Sequence, residues 1–85
     1  MPMMEVVGCV ARFFVHPSVA SIDLTAPLTL GQNIYVKGPT TDLQQVVESL
    51  QVNHQAVESA QAGERVGVKM VSRCRKHDVV YRLGI

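Results

Sequence analysis

Basic side chains are concentrated near the C-terminus, in the run RCRKH. The guanidinium groups of Arg73 and Arg75 are suited to paired hydrogen bonds with phosphate oxygens, and the ammonium group of Lys76 adds a point charge. Arg65 and Lys69 lie on one face of a predicted strand before this run, so they would extend the same surface. The pattern predicts a nucleic-acid-binding surface made by these five residues. The plain alternative is a solvated turn whose charges keep the protein soluble.

Composition indicates one globular domain with an electropositive side. The chain has 85 residues, of which 47% are hydrophobic and 18% charged, and this predicts a single domain over residues 1–85. The net charge is only +1, yet six of the eight basic residues lie within residues 65–85. Two Tyr, two Phe and no Trp leave few rings for stacking on bases. We therefore expect any nucleic-acid contact to be electrostatic and sensitive to salt.

The cysteines and histidines form no complete catalytic or metal-binding set. Cys9 and Cys74 are too few for a disulfide framework, so both are expected to be free, buried thiols, with a single bridge between them as the alternative. Cys74-x-x-His77 supplies half of the four ligands that zinc normally takes. Arg73 and Arg75 would favour a thiolate at Cys74, but strand alternation turns Cys74 to the core if both arginines face water. We expect no metal, no cofactor and no enzymatic activity; a thiol-dependent enzyme at Cys74 is the weaker alternative.

Alternating apolar residues predict several short strands. In EVVGCVARFF, residues Val7, Cys9, Ala11 and Phe13 would form one face. The proline of HPS ends this strand because it has no N–H for a ladder hydrogen bond. Further strands are predicted in VASIDL, NIYVKG, RVGVKMV and DVVYRL, with the inward residues Ala20, Ile22, Leu24, Val66, Val68 and Met70. Short strands joined by brief turns favour a small barrel.

The segment from Thr40 to Ala62 fits two structures. Apolar residues at helical spacing, ended by Gly63, predict one helix of about five turns. The β-branched residues and the alternation in LQVN instead predict a strand over residues 45–54, interrupted by a bulge between Val47 and Leu50. A short helical turn in AVESAQ would follow that strand. The pattern alone does not choose between them.

Nearly the whole chain resembles the second domain of translation elongation factors of the Tu and one-alpha group. VVESLQVNHQAVESAQAGERVGVKMV is similar to a stretch of that domain that runs strand, short helical turn, Ala-x-x-Gly-Glu/Asp-x-Val-Gly, strand. The matching motif positions are Ala60, Gly63, Glu64, Val66 and Gly67. Upstream, LTLGQNIYVKG is similar to that domain's Leu-x-x-Gly-Asp-x-Ile/Val, so the likeness covers about residues 5–83.

This resemblance implies an all-β fold, namely a small closed six-stranded Greek-key barrel with one short helical turn near residues 56–61. Gly63 would end that turn in a left-handed conformation, and Gly67 would be an outward position where a side chain would crowd a bend or an approaching segment. The chain is identified as a member of the translation elongation factor-like proteins. A related barrel is found at the end of collagenase-like peptidases of the kind linked to RNA hydroxylation. The family's Arg-Gly before the last strand is replaced here by Lys76-His77.

The implied function is a non-catalytic, translation-associated module that contacts transfer or ribosomal RNA, or a translation or RNA-modification protein. The sequence has no Gly-x-x-x-x-Gly-Lys-Ser/Thr loop, so no nucleotide is expected as a ligand. The alternative hypothesis is a protein-interaction module or accessory subunit that docks on an enzyme or a GTPase. Glu5 and Arg12 interrupt the apolar start, which fits neither a signal peptide nor a membrane span, so a cytoplasmic location is expected.

Overall fold

The computed structural model describes residues 3–84, which form ten β-strands. They are β1 (Met3–Phe14), β2 (Val19–Leu24), β3 (Leu28–Thr29), β4 (Asn33–Lys37), β5 (Asp42–Val46), β6 (Leu50–Val52), β7 (Gln55–Ala56), β8 (Ser59–Ala60), β9 (Arg65–Lys69) and β10 (Val79–Gly84). No helix occurs within residues 3–84, so the expected all-β class is confirmed. It follows that these residues contain no helix with the length and apolar character to span a membrane.

Eight strands form one antiparallel sheet in the order β5-β4-β10-β1-β2-β9-β6-β7, and β3 pairs with β8 separately. The long strand β1 pairs with β10 along its first part and with β2 along its second part. In such a sheet alternate side chains face the core. The largest fully buried side chains include Ile22, Leu28, Ile34, Leu50, Val68 and Val80.

The strands predicted from clean alternation are confirmed. NIYVKG contains β4, and DVVYRL contains β10 except for its last residue. The inward residues of β2 are Ala20, Ile22 and Leu24, and those of β9 are Val66 and Val68, as expected. Period-two patterning therefore assigns these strands to the correct face.

The regular alternation predicted for β1 is wrong. The register slips between Val6 and Gly8 against β10, and slips again just after Val10 against β2. A bulge adds a residue to one strand, and each added residue moves the following side chains to the other face. Val7 and Val10 are therefore both buried, whereas Cys9 is exposed, so the expectation of a buried thiol at Cys9 is also wrong.

The segment with two possible structures is extended. It contains β5 and β6, with a break at residues 47–49 where the strand hypothesis placed a bulge, so the single helix is excluded. The short helical turn expected near residues 56–61 is wrong, because β7 and β8 occupy that region after a tight turn at Asn53 and His54. Gly63 has a positive φ of 90°, as expected, but in a turn between strands. Pairing of β5 with β4 and of β6 with β9 supplies the partners that decide the conformation.

A buried glutamine links β5 to the end of β9. The Nε2 of Gln45 donates to the carbonyl oxygen of Lys69 at 2.8 Å, and its Oε1 accepts the backbone N–H of Val71 at 2.9 Å. Strand pairing within residues 3–84 does not itself continue from β5 to β6 or β9. The antiparallel sheet is thus confirmed, whereas the closed six-stranded Greek-key barrel is not.

Candidate binding surfaces

Three four-residue turns share one hydrogen-bond pattern. They span residues 29–32, 61–64 and 75–78. In each turn the backbone N–H of the fourth residue donates to the carbonyl of the first, at 3.1 to 3.3 Å. The side chain of the fourth residue accepts the N–H of the first, at 2.8 to 2.9 Å. The third residue has a positive φ: 88° at Gly31, 90° at Gly63 and 76° at His77. The sequence motifs around the two glycines are therefore turn signatures.

The turn at residues 75–78 holds the basic run in a defined shape. Asp78 is 1% exposed, and its Oδ2 accepts the backbone N–H of Arg75 at 2.8 Å. Its Oδ1 packs against Gly38 and occupies the space that a Cβ at that glycine would need. Because Asp78 is fixed by both contacts, Arg75 and Lys76 project to solvent from an ordered turn.

The five predicted binding residues do not form one surface. Arg73, Arg75 and Lys76 are exposed and line one depression, and Lys76 also lines a second, adjoining depression. Arg12 of β1, which the sequence did not single out, lines both depressions as well. Lys69 is exposed on β9 but lines neither of them. The direction of the Arg12 side chain depends on the register of β1. That register shifts at a bulge between Val10 and Arg12, which could not be predicted from the sequence.

Arg65 has a carboxylate partner within the chain. Its Nε donates to Oδ1 of Asp23 at 2.6 Å, and a second guanidinium nitrogen donates to Oδ2 at 3.2 Å. These hydrogen bonds lower the pKa of Asp23 and raise that of Arg65, so both groups stay charged. The positive charge of Arg65 is therefore balanced locally.

Three depressions join into one continuous surface, here called the trough. It lies over the second part of β1 and the outward faces of β2, β9 and β6. The residues common to neighbouring depressions are Ala11, Arg12 and Lys76 at the first junction and Phe14, Ser21 and Arg65 at the second. The trough therefore has a cationic end beside Arg73 and Arg75 and a more apolar end beside the β6–β7 turn.

Gly67 lies on the floor of the apolar end, which has a volume of about 530 Å³. The strand register places Gly67 between Ser21 of β2 and Gln51 of β6, and the outward position predicted for it is confirmed. Its φ is not positive, and an added Cβ would meet only Val19, at an ordinary 3.5 Å. Neither backbone conformation nor crowding within the fold requires glycine there. The missing side chain leaves the floor open.

Strained backbone is gathered along the same trough. Within residues 3–84 the non-glycine residues with positive φ are Asn53, His54 and His77, with values of 52°, 65° and 76°. The first two line the apolar end, and His77 lines the middle. His16 also lines the apolar end, so every histidine of the sequence borders the trough. Strain of this kind is concentrated at functional sites.

The thiol of Cys74 is not placed for catalysis. Cys74 is 1% exposed, and burial together with the negative charge of Asp78 raises its pKa to about 11. Arg73 and Arg75 face solvent while Cys74 faces the core, as alternation predicted. His77 is exposed, so it does not complete a zinc site with the buried Cys74. In the described part of the chain no three His, Cys, Asp or Glu side chains are grouped to hold a metal ion.

A second surface, here called the outer face, is apolar and lies on another part of the sheet. It consists of the outward side chains Met4, Val6, Tyr35, Val79, Tyr81 and Leu83 of β1, β4 and β10. Val6 pairs with Tyr81, and Tyr81 pairs with Tyr35, whose ring centroid lies 6.2 Å away. Met4 and Val6 are 51% and 50% exposed. Tyr35, Val79, Tyr81 and Leu83 are half-buried, and apolar side chains clustered in this way are typical of interaction surfaces.

Sequence comparison relates the chain to parts of larger proteins. It is 45% identical over 78 residues to an uncharacterized protease of Methanocaldococcus jannaschii, with 91% of this chain and 19% of that protein covered. It is 32% identical over 78 residues to a collagenase of Porphyromonas gingivalis, with 89% of this chain and 22% of that protein covered. The chain thus spans about a fifth of the length of these relatives. No family model matches the sequence.

Structural comparison identifies the fold. The C-terminal domain of a Geobacillus thermoleovorans protein described as a U32 peptidase superimposes with a TM-score of 0.85 at 16% identity, over 89% of this chain and 96% of that domain. A second crystal structure of the domain gives the same TM-score and identity over 92% of this chain and 91% of that domain. The chain therefore has the fold of this domain.

The identification as a translation elongation factor-like protein is wrong. The relatives are named as a protease and a collagenase, and the structural neighbours are domains of a U32 peptidase. The translation-associated, RNA-contacting function is corrected for the same reason. The motifs behind that resemblance form turns and strands, which different functions can share. The likeness supported by the comparisons is the one to collagenase-like peptidases.

Proposed function

We propose that the chain is a non-catalytic accessory module that docks through its outer face on the catalytic body of a U32-type peptidase. The outer face carries this proposal, because Met4 and Val6 are exposed on β1 beside half-buried apolar and aromatic side chains of β10 and β4. About four-fifths of the length of each protease or collagenase relative lies outside the match, and that remainder is the body on which such a face packs.

The chemistry of the outer face suits a protein partner. Removing apolar surface from water stabilises a complex by roughly 25 cal/mol per Å² before the costs of association are subtracted. Tyrosine and methionine are enriched in interface cores. The hydroxyl of Tyr35 donates to Asp42 at 2.7 Å, so its ring is already positioned. Lys37 lies 3.9 Å from the same carboxylate and adds a polar rim.

The proposal that the chain is non-catalytic rests on the burial of the Cys74 thiol and on the ion pairs formed by its acidic side chains. Cys74 is buried with its pKa raised to about 11, which disfavours a nucleophilic thiolate. Asp23 and Glu5 form ion pairs with Arg65 and Arg82, and the hydrogen bonds from Arg65 lower the pKa of Asp23. We expect the purified chain to leave casein and gelatin intact. Hydrolysis that copurifies with the chain and persists in repeated preparations would contradict the proposal.

Docking is tested by sedimentation of the chain with a purified U32-type peptidase that lacks a copy of this domain. We expect a complex whose affinity falls by about tenfold or more when Val6 or Tyr81 is changed to Lys, because a charge is then buried at the contact. Val71→Lys is the matched control, since Val71 is 73% exposed but lies outside the outer face. An equal effect of Val71→Lys, or no complex with the wild-type chain, would refute docking through this face.

We also infer that the sheet closes into a Greek-key barrel. Its wall would be β1, β2, β4, β9, β10 and one bent strand composed of β5 and β6. Only residues 47–49 separate these two segments, and Gln45 bridges β5 to the end of β9. Amide hydrogen exchange tests the inference. Protection of the Val71 amide should equal that of the sheet interior, whereas exchange as fast as at a free edge would indicate an open sheet.

A further inference from the structure

We propose that the trough binds an extended polypeptide segment in which acidic side chains adjoin an apolar one. The acidic side chains would lie beside Arg73, Arg75 and Lys76, and the apolar side chain would lie above Gly67. The choice of a polypeptide rests on the proposed function, because a module docked on a peptidase is close to polypeptide chains. The site itself is separate from the outer face.

The cationic end carries charge without carboxylate partners inside the fold. Within residues 3–84 the basic members of the ion pairs are Lys37, Arg65 and Arg82. Arg12, Arg73, Arg75 and Lys76 form no ion pair in this part of the chain, although all four line the first depression. Asp78, the acid of the adjacent turn, is buried and accepts a backbone N–H. Carboxylates of a ligand would complement these four cations.

The floor of the trough is shaped for close approach. Glycine inside a strand is unfavourable for the fold because it adds backbone entropy to the unfolded chain and packs no side chain. At Gly67 the fold gains no steric relief in return, since an added Cβ would make only an ordinary contact with Val19. Ser21 and Gln51 flank the glycine on the neighbouring strands and offer hydrogen-bonding groups beside the open floor.

Several residues at the rim of the trough have a side chain although their φ is positive, a backbone conformation that glycine adopts more readily. Of the three related turns, two use glycine at the positive-φ position, and the third, which borders the trough, uses His77. At the other end, Asn53 and His54 both take positive φ in the β6–β7 turn. In the two-residue β6–β7 hairpin positive φ at both central residues is the favoured turn geometry, so the retained side chain that points to a role in contacting a ligand is that of His77.

The dimensions and lining of the trough favour a polypeptide over a nucleic acid. The apolar end, at about 530 Å³, falls within the range of about 300–1,000 Å³ typical of ligand sites. Its apolar lining comes mainly from Phe14, Pro17 and Val19, which suit an aliphatic side chain. Among the described residues lining this end, Phe14 is the one Phe, Tyr or Trp, and its ring already lies 5.8 Å from the guanidinium carbon of Arg12. Successive bases would therefore lack a row of large aromatic rings on which to stack.

Fluorescence anisotropy with a labelled synthetic peptide, in which a run of glutamates precedes leucine, tests the proposal. We expect saturable binding by the purified chain that weakens as salt rises, because the cationic contacts are screened. Affinity should fall by about tenfold or more when Arg75 and Lys76 are both changed to Gln, and also for Gly67→Leu, which fills the floor. Lys69→Gln removes a charge from β9 outside the trough and should change affinity by less than about twofold.

The unfolding temperature of each Gly67 variant distinguishes a loss of binding from a loss of folding. Loss of binding in Gly67→Leu supports the proposal if the variant unfolds at or above the wild-type temperature; if it unfolds lower, Gly67→Val replaces it. The proposal is overturned by an absence of saturable binding at low salt, by full affinity in a stable Gly67 variant, or by an equal loss in Lys69→Gln. Tighter binding of a single-stranded RNA that displaces the peptide also overturns it. Val6→Lys should bind the peptide normally, so this test and the docking test fail independently.

Discussion

At the scale of single residues, His77 connects the shape of a turn with the character of the trough. Gly31 and Gly63 occupy the equivalent positions of the two related turns, and an added Cβ at either would meet nothing within 4 Å. Glycine is therefore favoured at these two positions by the positive φ and not by a lack of room for a side chain. His77 takes the same backbone conformation with a side chain attached, so the turn containing it is less stable by itself. Its backbone N–H donates to the carbonyl of Val10 at 2.8 Å, and the two hydrogen bonds between Arg75 and Asp78 close the turn around it.

We predict that His77→Gly is more stable than His77→Ala. Alanine keeps the steric penalty of a Cβ in left-handed backbone, whereas glycine removes it, so the free energies of unfolding should differ by about 1 kcal/mol. Chemical denaturation followed by circular dichroism measures the difference. The matched control is Gly63→Ala, which introduces the same penalty at the related turn and should be destabilising. Equal stability of the two His77 variants would mean that the turn does not hold its left-handed conformation in solution.

At the scale of elements, the contact between β5 and the end of β9 depends on one side chain. We predict that Gln45→Ala lowers the free energy of unfolding by about 1–3 kcal/mol, because the N–H of Val71 and the carbonyl of Lys69 lose a buried partner. Gln44→Ala is the matched control. Gln44 is exposed on the same strand, and its substitution should change stability by less than about 0.5 kcal/mol. Urea denaturation compares the two variants, and similar losses in both would argue against a special role for Gln45.

Regular strands with one buried face could be predicted from the sequence, whereas a strand whose register shifts at bulges could not. The alternation in β2 and β9 assigns Ala20, Ile22, Val66 and Val68 inward because each of these strands is regular throughout. In β1 the bulges depend on pairing with β10 and β2, and a single sequence contains no signal of that pairing. Arg12 was missed as a candidate site residue for this reason. Gly67 was recognised as unusual, but its open floor became apparent only beside its neighbours in the sheet.

At the scale of the whole molecule, β1 serves both proposed surfaces. Its first part contributes Met4 and Val6 to the outer face, and its second part contributes Arg12 and Phe14 to the trough. The two bulges between these parts change which side chains face outward along the strand. The outer face continues over β10 and β4, whereas the trough continues over β2, β9 and β6, so the surfaces extend in opposite directions from β1.

This arrangement predicts that a U32-type peptidase and an acidic peptide bind the chain at the same time. Because the two surfaces share no side chain and have only β1 in common, the coupling free energy between the two sites should be close to zero. The anisotropy of the labelled peptide bound to the chain should therefore rise further when the peptidase is added, because the complex is larger. The peptide affinity should change by less than about twofold in readings taken before any peptide is cleaved. Release of the peptide on addition of the peptidase would instead place the docking contact over the trough, and the Val6→Lys variant would then dock and release the peptide as well.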